Sequence, residues 1–488
     1  MNPYLILLIV AAYFGLLLLI SHFTSRGADN ASFFIGNKQS PWYVVAFGMI
    51  GTSLSGVTFI SVPGWVGSSS FSYMQMVLGY LLGYAVVALI LMPLYYRMNL
   101  TSIYAYLGQR FGPQSHKTGA SFFLLSRIIG AAFRLYLVAI VFELVFAKLK
   151  IQVPFLVTVL ITVALIWLYT FRAGIKTIIW TDTLQTLFML LAVGITIYLI
   201  GSEMNLDAAG VVSLVRESDY SKWFYFDDWN APHHFVKQFL SGAFITIVMT
   251  GLDQDMMQKN LSCRNLKEAQ INMFSFSGTL VIVNLFFLSL GALLFLYAGS
   301  IGLEIPEKTD YLYPTIALDG YLGLAVGIFF VLGLIASAYS SADSALTALT
   351  TSFCVDILDI KKREALRQEN IRKWVHVGMS LTLVVVIVAF RLINDESVIK
   401  SLFTVAGYTY GPLLGLYTFG LFIRRNLKDR WVPFVALAAP LASYVLSVNS
   451  EIWFNGFQFG FFILVVNGAL TLLGLLMISK PSENLSLE

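Results

Sequence analysis

Charged side chains are scarce. Asp, Glu, Lys and Arg make up 12% of the 488 positions, about half the 25% usual in soluble domains. That excludes a chain folded only in water. Two cysteines, Cys263 and Cys354, are too few for a disulfide framework, and no Cys or His cluster has metal-ligand spacing. There is no P-loop, which removes the usual sign of direct ATP use, and no G-x-S-x-G elbow or zinc-protease motif. No polar linker divides the chain, so residues 1–488 read as one membrane domain. No loop exceeds about 30 residues, which leaves no room for a soluble catalytic unit of ordinary size; an enzyme is not expected. The net charge of +4 calls for no nucleic-acid partner, and no obligatory protein partner is expected.

Hydrophobic residues are abundant, at 58%, with a mean hydropathy of +0.77. A helical span needs about 20 mostly apolar residues. Thirteen segments qualify: 3–24, 42–66, 72–96, 118–147, 153–171, 177–202, 233–258, 270–300, 318–355, 374–393, 400–423, 431–449 and 454–478. The first has no basic region before it, and Arg26 follows it, which fits a retained span rather than a cleaved signal. With the N-terminus outside, 21 of the 31 Lys and Arg residues fall in inner loops, Lys259 among them, and 7 fall outside. That bias satisfies the positive-inside rule. It puts the C-terminus and both cysteines inside, where thiols stay reduced.

Polar residues within spans mark pathways and sites, because ionisable groups at membrane depth are costly. In the second segment, 48–58 (GMIGTSLSGVT) carries glycines and hydroxyls in mid-span. Two readings stand: close helix packing through small residues, or local unwinding that turns carbonyls toward a cation. In the ninth, 336–347 (ASAYSSADSALT) sets Ser337, Ser340, Ser341 and Ser344 at i, i+3, i+4, i+7, on one helical face. Asp343 lies beside it. A polar packing stripe is one reading; an oxygen-lined cation site is the other, and a buried carboxylate in need of a partner favours it. Asp182 lies near the inner end of the sixth segment, as a solvated cap or as a site residue. Arg127 and Arg134, seven apart on the fourth, are candidates for salt bridges to Glu143, Asp182 or Asp343, or for clamping an anionic solute. His233 and His234 read as interfacial.

Together these residues resemble the sodium/solute symporter family, over nearly the whole chain. The resemblance is carried by 55–64 (SGVTFISVPG), 100–111 (LTSIYAYLGQRF), 179–185 (IWTDTLQ), 255–259 (DMMQK) and the serine-rich ninth segment ending in Val355 and Asp356. One departure is Arg172-Ala173-Gly174, where relatives carry Gly-Gly. The resemblance implies an all-α polytopic fold of 13 transmembrane helices around a LeuT-like core. That core has two inverted five-helix repeats, here 42–202 and 233–423, with the second and seventh segments broken. It implies a main sodium site made by the carbonyls of Gly51, Leu54 and Ser337 with the hydroxyls of Ser340 and Ser341. A second cation site matches Asp182, Ser340, Asp343 and Ser344. Ser53, Ser55, Thr58 and, on the third segment, Gln75 are substrate candidates. Relatives that carry sialic acid hold its carboxylate with an arginine on the fourth segment; the matching position here is Gly130, with Arg127 and Arg134 each about one turn away. The aspartate of proline carriers is replaced by Ser53.

The expectation is therefore a multi-pass protein of a bacterial inner membrane. It couples sodium, its one expected ion, to uptake of a small organic solute by alternating access, leaning to a sugar acid or carboxylate. At −100 mV one inward charge contributes about 2.3 kcal/mol, about 50-fold in concentration, so no ATP is required. A neutral sugar or amino-acid symporter, or a proton-coupled carrier using Asp182 or Asp343, stands as the alternative.

Overall fold

The computed structural model describes residues 3–24, 33–34, 36–148, 151–170, 174–360, 364–393 and 398–481. Arg26, Lys150, Arg172, Ala173, Lys361, Lys362 and Arg363 lie outside the described residues.

Backbone groups in lipid must be bonded within the protein, so long apolar runs resolve into helices. In chain order these are α1 Pro3–Thr24, α2 Trp42–Ser69, α3 Tyr73–Arg97, α4 Pro113–Lys148, α5 Phe155–Thr170, α6 Ile175–Glu203, and the bent α7, Phe235–Gly251 with Gln254–Asn260. Then follow α8 Leu266–Ser300, α9 Gly323–Ser352, α10 Ala365–Ile393, the two-part α11 (Val398–Thr409 and Gly411–Phe422), α12 Val432–Val448 and α13 Ile463–Met477. Among the described residues, ten helices are long and apolar enough to cross a membrane, or eleven if the bent α7 counts as one span. Shorter apolar helices, Phe155–Leu168 and Gly411–Phe422, occupy the fifth and eleventh expected segments.

Two expectations are corrected. The last segment was placed at 454–478, but the helix begins only at Ile463 after a 3-10 turn, Gly460–Phe462. Asn455, Gly456 and Gly460 all take positive φ, which keeps this aromatic stretch a loop despite its hydropathy. The chain is also not helix alone: Arg425–Leu427 pairs antiparallel with Ser479–Pro481, tying the loop after α11 to the end of α13.

Burial sorts the helices by role. In α2, 89% of the membrane window is buried, against 28% in α1 and 22% in the window of α12. So α2 is the central post and α1 and α12 are peripheral. It packs against α6, α8 and α9, while α3 packs against the first half of α7. Glycine permits the closest of these approaches. A Cβ on Gly51 would stand 2.3 Å from Thr186 Oγ1 on α6, and one on Gly48 3.0 Å from the Asp182 Cβ. The close-packing reading of these glycines is therefore correct, and Gly51 N–H also donates to Thr186 Oγ1 at 3.0 Å.

Candidate functional site

The α2 helix does break, but at Ser55 and not at a glycine. Ser55 has φ 28 and ψ 171 within an otherwise helical run. A helix that ends leaves its last four carbonyls without intrahelical donors, and the four residues before Ser55 are Gly51, Thr52, Ser53 and Leu54. The ninth-segment serines face this end. Ser341 Oγ donates to Thr52 O at 3.1 Å and to Ser337 O at 3.3 Å, bridging α2 and α9. Ser337 Oγ turns back to Leu334 O at 2.9 Å, leaving its carbonyl toward Ser341. The oxygen-lined face of α9 and the break in α2 thus come together in the core.

Below the break lies a buried polar knot. Asp182 is fully buried and is no solvated cap. Its Oδ1 accepts from Ser340 Oγ at 2.7 Å, and its Oδ2 accepts from Thr52 Oγ1 at 3.1 Å and from Lys259 Nζ at 2.5 Å. Lys259 Nζ also donates to Thr52 Oγ1. The sequence places Lys259 in an inner loop; at 1% exposed it belongs to the interior instead. Asp343 is buried too, with Oδ1 accepting from Ser344 N–H at 2.5 Å, while the buried Ser344 Oγ has no hydrogen-bond partner among the described residues.

Beside the break lies a cavity of about 80 Å³. Ser53, Ser55 and Thr58 line it, as do Arg127 and Arg134, so most of the expected substrate residues converge. Gln75 is not among them. Its carboxamide is used on backbone, donating to His233 O at 3.0 Å and accepting from Tyr225 N–H at 3.0 Å, so it fastens the 222–235 loop. The wall also includes Tyr73, Tyr80, Tyr84, Asn284 and Phe403, which the sequence reading did not single out.

The two arginines differ. Arg127 pairs with the buried Asp255 of α7, none of the three partners considered for it. Glu143 is instead held by Arg391 in a bidentate pair at 2.8 and 2.9 Å. Arg134 is 6% exposed, and its Nε and Nη1 have no hydrogen-bond partner among the described residues. Asn284 Oδ1, also in the cavity lining, is likewise without one among the described residues.

The second break, at Leu252 and Asp253 in α7, bends the helix by 69°. Its freed groups are met by the motif 100–111 and its neighbours. Tyr95 and Tyr104 hydroxyls donate to Gly251 O and Leu252 O at 2.8 and 2.9 Å. Gln254 accepts from Ile103 N–H and donates to Thr101 O, both at 2.9 Å. Asp253 caps the second arm, Gln254–Asn260, through Asp255 N–H at 2.9 Å and accepts from Tyr410 at 2.5 Å. His234 caps the first arm through Val236 N–H at 3.3 Å.

Comparison with known proteins agrees with this layout. The chain is 25% identical to the sodium/sialic acid symporter NanT of Aliivibrio fischeri, over 94% of this chain and 91% of that protein. It is 26% identical to the human sodium/iodide cotransporter, over 86% of this chain and 65% of the relative. Among solved structures, a substrate-bound, outward-open sodium-coupled sialic acid symporter superposes with a TM-score of 0.81 at 19% identity, covering 98% of this chain and 99% of that one. Mhp1, a nucleobase–cation symport transporter, superposes at 0.56 and 14% identity, over 92% and 93%. These likenesses establish the LeuT-like fold. Residues 33–429 match the sodium:solute symporter family, and the chain belongs to that family.

Proposed function

We propose that the protein carries a small organic anion, a sugar acid or carboxylate, inward together with sodium. The observation that carries the anionic reading is Arg134. Its guanidinium stands in the cavity wall with Nε and Nη1 unpartnered among the described residues, whereas Arg127 is already paired with Asp255. A buried cation in that position is matched by a carboxylate that can take both donors. Ser53, Ser55, Thr58 and Asn284 supply the neutral polar contacts.

Sodium binds between α2 and α9, at the carbonyls of Gly51, Leu54 and Ser337 and the hydroxyls of Ser340 and Ser341. The support is that Ser341 already joins Thr52 O to Ser337 O across this gap; sodium then takes over the Ser337 carbonyl that the hydroxyl now holds. The same ion closes the cavity's floor, so it favours the conformation in which substrate binds, and the coupling is reciprocal. Thirteen spans, an outside N-terminus and an inside C-terminus in a bacterial inner membrane complete the reading. Its core is two inverted repeats, 42–202 and 233–423. The first helix of each repeat is the broken one, α2 at Ser55 and α7 at Leu252–Asp253.

The test is thermal stabilisation of the purified protein by sugar acids, monocarboxylates, neutral sugars and amino acids, each with and without sodium. Stabilisation by an anion only when sodium is present supports the proposal. Stabilisation by neutral solutes alone contradicts it.

A further inference from the structure

Two of the four residues expected to hold a second cation, Asp182 and Ser340, belong to a cluster that already carries one. Thr52 of α2, Asp182 of α6 and Ser340 of α9 bring three side-chain oxygen groups together. Ser340 Oγ lies 2.7 Å from Asp182 Oδ1 and 3.2 Å from Thr52 Oγ1. The Lys259 ammonium sits on this cluster, in contact with Thr52 Oγ1 and Asp182 Oδ2. All four side chains are at most 1% exposed. The Asp343 carboxylate adds favourable charge from α9.

We propose that Lys259 is a tethered occupant of this site, standing where a second sodium would otherwise bind, and that the protein therefore takes up one sodium at the α2–α9 site alone. The chemistry of the donors supports this. An ammonium is a compact, strongly hydrated point charge, and here it makes the contacts that a hard monovalent cation would make with oxygen. A sodium ion on the Thr52 and Asp182 side-chain oxygens that Lys259 contacts would meet that like charge in a water-poor interior, where repulsion between ions is strong. The buried carboxylate needs a cation, and the chain supplies it on a short arm. Lys259 lies on the second arm of α7, Gln254–Asn260, just past the break. Gln254 at the start of that arm is bonded to Thr101 and Ile103. The tethered charge thus locks the second arm of one broken helix to α2, α6 and α9. For the inner side to open along this seam, the ammonium must leave its oxygens, so Lys259 is a positioning residue for the inner gate as well as a substitute ion.

The inference rests on sodium coupling, and the experiment separates the two. The full-length protein is titrated with sodium chloride against choline chloride, with melting temperature as the readout. Wild type should give a Hill slope of about 1, Lys259→Ala a slope rising toward about 2, and Lys259→Ala/Asp182→Asn a return to about 1, slopes being bounded by the number of interacting sites. The paired neutral variant Lys259→Gln/Asp182→Asn keeps hydrogen bonding at the cluster and should retain the wild-type slope, which keeps the test open if Lys259→Ala does not fold. A wild-type slope of about 2 that falls to about 1 in the paired variant overturns the inference. So does a monodisperse Lys259→Ala protein with an unchanged slope. A wild type with no sodium response contradicts sodium coupling itself and this inference with it.

Discussion

Replacing Arg134 by alanine removes a cavity cation whose Nε and Nη1 have no hydrogen-bond partner among the described residues, and the size of the effect follows from the structure. A hydrogen bond between charged groups contributes about 1.5–3 kcal/mol, and about 1.4 kcal/mol is tenfold in affinity. Anion affinity should therefore fall about 10- to 150-fold. At a ligand concentration of about 100 times Kd, wild type gains about 2.7 kcal/mol of stability; the variant at the same concentration should gain only about 0.3–1.4 kcal/mol. Its stability without ligand should hold, because Nε and Nη1 make no hydrogen bond that is lost. Arg127→Ala is the contrasting case. It strands Asp255, which is 1% exposed, and breaking a buried ion pair from one side costs about 3–5 kcal/mol. It should unfold or melt far lower before ligand is added. Ligand-dependent melting of the two variants reads both effects. Undiminished anion stabilisation in Arg134→Ala refutes the carboxylate clamp.

Gly51→Ala forces a methyl to within 2.3 Å of Thr186 Oγ1; overpacking of this kind costs about 1–3 kcal/mol, and adding Thr186→Ala should recover part of the lost melting temperature. A melting temperature equal to wild type would show that α2 and α6 are not in such contact. Topology is checked with an impermeant maleimide on whole cells. Asp228→Cys, in the exposed outer loop, should label directly, and Asn426→Cys, exposed before α12, only after permeabilisation. The native thiols give no background, since both are buried and burial pushes Cys263 up to about 12, far from its reactive thiolate form at neutral pH. The reverse labelling pattern inverts the orientation.

What the sequence could reveal follows from what is local. Apolar length marks the spans, and the i, i+3, i+4, i+7 spacing places the α9 serines on the face that meets α2. The break near the middle of α2 is visible as a cluster of small and hydroxyl residues, yet its position at Ser55 is a tertiary outcome. Gly48 and Gly51 are occupied with close contact to α6, so the strained conformation falls one turn later. Long-range pairing is hidden from any periodicity. Arg127 and Asp255 are 128 residues apart, and Lys259 and Asp182 are 77 apart. Lys259 looked like a loop cation because it follows an apolar run, and only the bend in α7 turns it inward. Gln75 is a substrate candidate by sequence, yet its carboxamide is bonded to backbone groups of the 222–235 loop.

The claim on which the rest depends is that sodium is held where the end of the first half of α2 meets the serine face of α9. Its most direct test is sodium-induced thermal stabilisation of Ser341→Ala, against choline as the control cation. Loss of a hydroxyl that bonds Thr52 O at 3.1 Å should lower intrinsic stability by only about 1 kcal/mol, so the variant remains foldable. The account predicts that its sodium response disappears while wild type retains one. A Ser341→Ala protein that gains the full wild-type stabilisation from sodium contradicts it.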